Sequence, residues 1–259
     1  MLDLTKRQKI AFASIIITIG LLSTQLVDFN LRFRFLIGLS VLSYFLSLWA
    51  LREGINLTKA FMLLILPTLF TLSVASFYFL LPIRWLTRLP VAVIFGLSFY
   101  TLLLSQNVFN VASIRTIPLY RAASTASILF TVISAFFLYT VLAAFHFLFI
   151  FNGAVVAIIS FPLILQVLWH LEMEDRINTA NLVQTLILSL SLGEIALTLS
   201  FWPIVSTMWA LVLASIMYIL LGLSMHQLKD RLTKRITWEY ITIGVVVFLV
   251  AFFTTSWAG

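Results

Sequence analysis

The sequence predicts an all-α protein, a polytopic bundle of about nine transmembrane helices joined by short loops. Three observations predict it: 62% of the 259 residues are hydrophobic, only 10% are charged, and the charged residues fall between long apolar runs. Soluble domains carry roughly 25% charged residues, so this composition excludes a soluble globular protein. It also excludes a disordered chain and a nucleic-acid-binding module, which need low hydrophobicity or a large basic face.

Apolar runs long enough to cross a bilayer follow one another along the whole chain. A helix needs about 20 mostly apolar residues to cross roughly 30 Å of hydrocarbon. We expect spans at residues 10–27, 33–51, 60–81, 91–109, 122–149, 154–171, 183–201, 204–225 and 240–257. Because the connections are short, we expect one integral membrane domain over residues 1–259 and no soluble domain. Eight spans with a re-entrant segment are the alternative, since Asn152-Gly153 and Trp202-Pro203 would make very tight turns.

Most of the tryptophans lie at ends of the expected spans. The indole ring prefers the headgroup level to the bilayer centre. Six of the seven tryptophans fall at the ends of expected spans: Trp49, Trp85, Trp169, Trp202, Trp238 and Trp257. Prolines lie inside the third and sixth spans, at Pro67 and Pro162, where each removes a backbone hydrogen bond and makes its helix a candidate hinge. Incidental kinks are the alternative interpretation.

Basic residues on alternate connections predict the orientation. Lysine and arginine are retained on the cytoplasmic side of a membrane. With the N-terminus inside, twelve of the sixteen basic residues lie on inner segments and four lie on outer segments, namely Arg32, Arg34, Arg84 and Arg88. The sequence therefore predicts an N-inside, C-outside chain in the plasma membrane. We expect Arg84 and Arg88 to extend to the headgroups.

A carboxyl group inside an expected span is the first candidate for function. Ionisable groups at membrane depth are costly, so each is a functional candidate by default. Glu194 is the only acidic residue well inside a span, and His146 is the nearest candidate partner by depth. Such a pair would relay protons or bind a cationic or hydroxylated ligand in the outer leaflet. Alternatively, Glu194 hydrogen-bonds a neighbouring Ser or Tyr and only fixes the rotation of its helix.

Two arginines between the fourth and fifth spans form a second candidate site. Arg115 and Arg121 lie close to Asn107 and Asn110 in the sequence. Guanidinium groups beside amides suit a phosphate, from a lipid headgroup or from a substrate. Anchoring on the inner side is the simpler alternative. The fifteen residues 107–121 also resemble segments of uncharacterised bacterial multi-pass membrane proteins, a resemblance that implies no activity.

A third candidate is a polar cluster at the inner rim. His170 and Glu174 would share one face of a continuing helix, as metal ligands can, and His226 ends the eighth span at the same depth. A solvated helix end is the alternative. The chain has no cysteine and lacks the common zinc-protease, P-loop and Rossmann motifs, so we assign no catalytic residue, no metal and no cofactor.

These features leave three classes of function. A non-catalytic membrane subunit or scaffold, packed against other membrane subunits or lipid, is the first. A carrier or channel for a small or lipid-like solute, using Glu194 and His146, is the second. A membrane enzyme acting on a lipid phosphate, with Arg115 and Arg121 binding and His170 and Glu174 as acid and base, is the third. The partners expected are the bilayer, another membrane subunit or a lipid-like ligand, and no nucleic acid.

Overall fold

The computed structural model describes residues 5–24, 31–52, 55–81, 85–112, 119–172 and 178–255. Within these ranges the chain forms helices and no strands, which confirms the predicted all-α bundle. The helices are α1 (Lys6–Ser23), α2 (Arg32–Leu51), α3 (Leu57–Tyr78), α4 (Trp85–Ala112), α5 (Tyr120–Ala144), α6 (Phe149–Glu172), α7 (Thr179–Leu199), α8 (Ser206–Leu228) and α9 (Lys234–Thr254).

Eight of these helices, α2 to α9, are long and apolar enough to cross a membrane. The chain is therefore a multi-pass membrane protein. Helix α1 overlaps the first expected span, but its 18 residues include the basic side chains Lys6, Arg7 and Lys9. A ninth crossing by α1 stays a prediction.

The turn between α5 and α6 corrects one expected boundary. The fifth span was expected to run to residue 149, but α5 ends at Ala144 and α6 begins at Phe149. His146 has a φ of 51° in this turn, a left-handed conformation that lets the chain reverse in few residues. Asn152 and Gly153, expected to form the turn, lie inside α6.

The described part of the chain divides into two compact units, unit 1 (Met1–Ser134) and unit 2 (Ala135–Gly259), and α5 contributes to both. In unit 1, α1 packs on α2 and α4, and α3 packs between α2 and α4. The Phe70 ring stacks on Phe95 at 5.7 Å and meets Phe130 edge-on at 5.3 Å between ring centroids. Buried hydroxyls also join α2 to α3, since Ser43 Oγ and Thr71 Oγ1 lie 2.9 Å apart and both donate to the carbonyl of Pro67.

In unit 2, α6 and α7 form the most extensive helix pair, and α8 packs on α6, α7 and α9. A buried hydrogen bond of 2.6 Å joins the Tyr139 hydroxyl on α5 to Ser160 Oγ on α6. Helix α9 lies at the edge of the unit, and Ala251 is its only buried residue. Its apolar side chains therefore remain available to lipid.

Several hydroxyl side chains inside the helices are satisfied by their own helix. Ser14, Thr131 and Ser134 each donate to the carbonyl four residues earlier, at 2.9, 2.7 and 2.7 Å. This pairing removes the penalty that an unpaired hydroxyl would carry in lipid or in an apolar core. These three hydroxyl groups are consequently structural.

Candidate functional site

The most polar cavity among those with described linings lies at one end of unit 2. Its volume is about 500 Å³, and it lies between the α5–α6 turn and the α7–α8 connection. The side chains with polar atoms that line it are His146, Asn152, Ser200, Trp202, Ser206 and Trp209. We call this space the Asn152 cavity.

Asn152 supplies the best-defined polar group of the Asn152 cavity. It lies in the first turn of α6 and is 9% exposed. Its Nδ2 donates to Ser200 Oγ at 3.2 Å and to the carbonyl of Phe147 at 3.4 Å. Its buried Oδ1 has no hydrogen-bond partner in the described part of the chain. Asn152, which lines the cavity, therefore carries a buried acceptor whose capacity is unused.

The neighbours of Asn152 determine which way its amide points. The Ser200 hydroxyl already donates to the carbonyl of Ala196 at 2.8 Å, so its oxygen accepts from Asn152. The carbonyl of Phe147 is an acceptor only. Both acceptors therefore require that the Nδ2 atom of Asn152 faces them. The Oδ1 atom then remains able to accept a hydrogen bond from another donor.

Two glycines allow α6, which carries Asn152, to pack closely against α7, which ends next to Ser200. A Cβ built on Gly153 would lie 2.9 Å from the carbonyl oxygen of Gly193, and one built on Gly193 would lie 2.7 Å from that of Gly153. The backbones of α6 and α7 are thus in direct contact, the close approach that small residues allow in membrane helix pairs. This contact is next in sequence to Asn152.

Aromatic rings line much of the rest of the Asn152 cavity. Trp209 of α8 is 4% exposed, and Trp202 packs edge-on against Phe248 of α9 with ring centroids 5.5 Å apart. Phe149 and Phe201 lie 4.8 Å apart between centroids. Tryptophan combines an apolar ring with an N–H donor, the composition that suits an amphiphilic ligand.

The predicted partners Glu194 and His146 occupy different places. His146 is exposed in the α5–α6 turn and lines the Asn152 cavity. Glu194 follows Gly193 on α7, is exposed, and is not among the residues that line this cavity. Asn152, which sequence reasoning treated only as a turn signal, takes the inward position instead. An amide beside a glycine inside an apolar run was the signal that could have found it.

The predicted anion site between α4 and α5 is only partly described. Arg115 lies outside the described residues, and Arg121 is exposed at the start of α5. Asn110 is 2% exposed, and its Nδ2 donates to the carbonyl of Leu51 at 3.1 Å. Asn110 therefore links α4 to the last residue of α2. The Oδ1 of Asn107 is buried on the same helix.

The predicted inner-rim cluster is also incomplete, because Glu174 lies outside the described residues. His170 is 2% exposed and its ring lies 5.7 Å from that of Trp169. His226 Nδ1 lies 2.8 Å from the carbonyl of Gly222, and its ring meets Tyr240 edge-on at 5.9 Å. Among the described residues, no group of three or more His, Cys, Asp or Glu side chains is arranged to hold a metal.

The predicted hinges lie within continuous helices. Pro67 is buried in α3 and Pro162 lies in α6, and both helices continue past them. A contact that the sequence did not predict lies at the other end of the α6–α7 pair, where Asn181 Nδ2 donates to Glu172 Oε2 at 2.7 Å. Amide side chains therefore tie α6 to α7 at both ends.

No curated protein and no solved structure matches this chain. A family model described as "Protein of unknown function (DUF5656)" matches residues 12–254, which extend across both units. Since the match covers most of the 259 residues, the chain belongs to this family of proteins of unknown function, DUF5656.

Proposed function

We propose that the protein is a non-catalytic membrane protein that holds a lipid-like solute by its polar head in the Asn152 cavity. The observation that carries this proposal is the buried Oδ1 of Asn152, which has no hydrogen-bond partner among the described residues. A buried acceptor without a donor is costly, and a ligand that donates a hydrogen bond removes the cost. The ligand head therefore carries a hydroxyl or another N–H or O–H donor.

The other lining residues narrow the chemistry of the ligand. The residues that line the cavity include no Asp, Glu, Lys or Arg, so nothing there selects a strongly charged head. A volume of about 500 Å³ lies within the roughly 300 to 1,000 Å³ of small-molecule sites. Trp202, Trp209 and Phe149 offer apolar surface beside the polar groups. A lipid with a neutral hydroxylated head, such as a glycolipid, fits these features best.

Replacing Asn152 by Leu tests this proposal. We expect the purified Asn152→Leu variant to retain glucosyl diacylglycerol about tenfold less well than the wild type in native mass spectrometry. One hydrogen bond to a buried amide contributes about 0.5 to 1.5 kcal/mol, and a tenfold change corresponds to about 1.4 kcal/mol.

The matched control is Asn181→Leu. Asn181 is 3% exposed and links the same two helices through Glu172, away from the cavity. This variant should retain the glycolipid as the wild type does. Equal retention by all three proteins, or equal loss by both variants, would contradict a head-binding role for Asn152.

The orientation of the chain determines on which side of the membrane the Asn152 cavity opens. We propose that the N-terminus lies inside a bacterial plasma membrane, since twelve of sixteen basic residues fall on the segments that this orientation places inside. The Asn152 cavity then opens at the outer leaflet. Reporter tags at the two termini should respond from opposite compartments in intact cells. A response of both tags from one compartment would refute nine crossings and this orientation.

A further inference from the structure

Arg88 is buried at the end of unit 1 where α3 ends and α4 begins. We expected this side chain to extend to the headgroups, but only 5% of its surface is exposed. Its guanidinium carbon lies 5.3 Å from the centroid of the Tyr78 ring, and Nη2 donates to the carbonyl of Leu81 at 3.4 Å. Its Nε is buried and has no partner in the described part of the chain.

No carboxylate neutralises Arg88 within the described part of unit 1. The acidic residues of unit 1 are Asp3, Asp28 and Glu53, and all three lie outside the described residues. A buried charge without a counter-ion is among the costliest arrangements in a protein. A long hydrogen bond and a cation–π contact offset only part of that cost. A bound anion would therefore lower the free-energy cost of burying the Arg88 guanidinium.

A second arginine lies at this end of unit 1. The guanidinium carbon of Arg32, the first residue of α2, lies 5.3 Å from the centroid of the Phe79 ring. Phe79 directly follows Tyr78, so two adjacent aromatic rings at the end of α3 each contact the guanidinium group of an arginine.

We propose that Arg88 binds a phosphate group at this end of unit 1. A guanidinium presents two parallel N–H groups, called a fork, at the spacing of two phosphate oxygens. The Nε of Arg88, which has no partner in the described part of the chain, is one of the nitrogens that can form such a fork. The phosphate comes from a phospholipid headgroup or from a free phosphate in the adjoining solution. This site is independent of the Asn152 cavity, since it lies in the other unit and selects an anion.

The test uses the full chain purified in a phosphate-free maltoside detergent. Phosphatidylglycerol and inorganic phosphate are added separately, and binding is measured by native mass spectrometry and by the shift in melting temperature. Binding of phosphatidylglycerol alone identifies a lipid headgroup, whereas a response to inorganic phosphate that the lipid does not reproduce identifies a free anion. Absence of both responses in the wild type would overturn the proposal.

Variants assign the binding to Arg88. We expect Arg88→Gln to bind the responding probe at least tenfold more weakly, and Arg88→Lys, which keeps the charge but loses the fork, to bind about threefold more weakly. Arg34→Gln, at an exposed position of α2, is the control and should bind like the wild type. If Arg88→Gln does not fold, Arg88→Lys against Arg34→Gln decides the question. Equal binding by the variant and the control would overturn the proposal.

Discussion

Replacing Gly193 by Val should strongly destabilise the α6–α7 pair. Even a methyl group at this position would lie 2.7 Å from the carbonyl oxygen of Gly153 and 3.0 Å from the Cβ of Ala157. The obstructing oxygen belongs to the backbone of α6, so a change of side-chain rotamer cannot relieve the clash. Overpacking typically costs about 1 to 3 kcal/mol, and a clash between two backbones lies at the upper end or beyond. Size-exclusion profiles and melting temperatures in one detergent measure the loss.

Gly38→Val is the control for this experiment. Gly38 lies inside α2, and no atom lies within 4 Å of a Cβ built there. Both substitutions put the same β-branched residue into a helix, so the difference between them isolates the Gly153–Gly193 contact. A Gly193→Val protein as stable as Gly38→Val would mean that the helices separate at little cost. The Asn152 cavity depends on the same contact, because Asn152 and Ser200 reach each other across this helix pair.

The positions of the helices were predictable because lipid requires long apolar runs with every backbone group paired inside the helix. The boundary between α5 and α6 was not predictable, because residues 145–148 are Phe, His, Phe and Leu, which continue the apolar run. The reversal depends on the backbone conformation of His146, whose φ is 51°. Hydropathy measures the length of an apolar segment and does not detect a left-handed residue within it.

The candidate site was predictable only in part, because these helices are apolar on every face. In a soluble protein, the polar side of a helix shows which residues point outward. Here both the lipid and the protein interior are apolar, so the sequence did not show that Asn152 points inward and Glu194 outward. His146 was identified by its depth alone. The buried position of Arg88 was missed because arginines near helix ends ordinarily extend to the headgroups.

Two amides one turn apart on α4 should respond to substitution with opposite signs. Gln106 is 0% exposed, and neither atom of its amide has a hydrogen-bond partner in the described part of the chain. Gln106→Met removes both unpaired polar atoms at nearly constant volume, so we expect the free energy of unfolding to rise by about 1 to 3 kcal/mol. Reversible unfolding in mixed micelles measures the change.

Asn110→Leu should lower the free energy of unfolding instead. Asn110 donates to the carbonyl of Leu51, which ends α2 and so has no donor from a following turn of its own helix. Losing that donor leaves a carbonyl oxygen unsatisfied and costs about 1 to 3 kcal/mol. The two variants should therefore differ by roughly 2 to 6 kcal/mol, the sum of the two effects. If Gln106→Met destabilises the protein as much as Asn110→Leu does, the Gln106 amide is held by a buried water or a ligand, because only a satisfied amide is costly to remove.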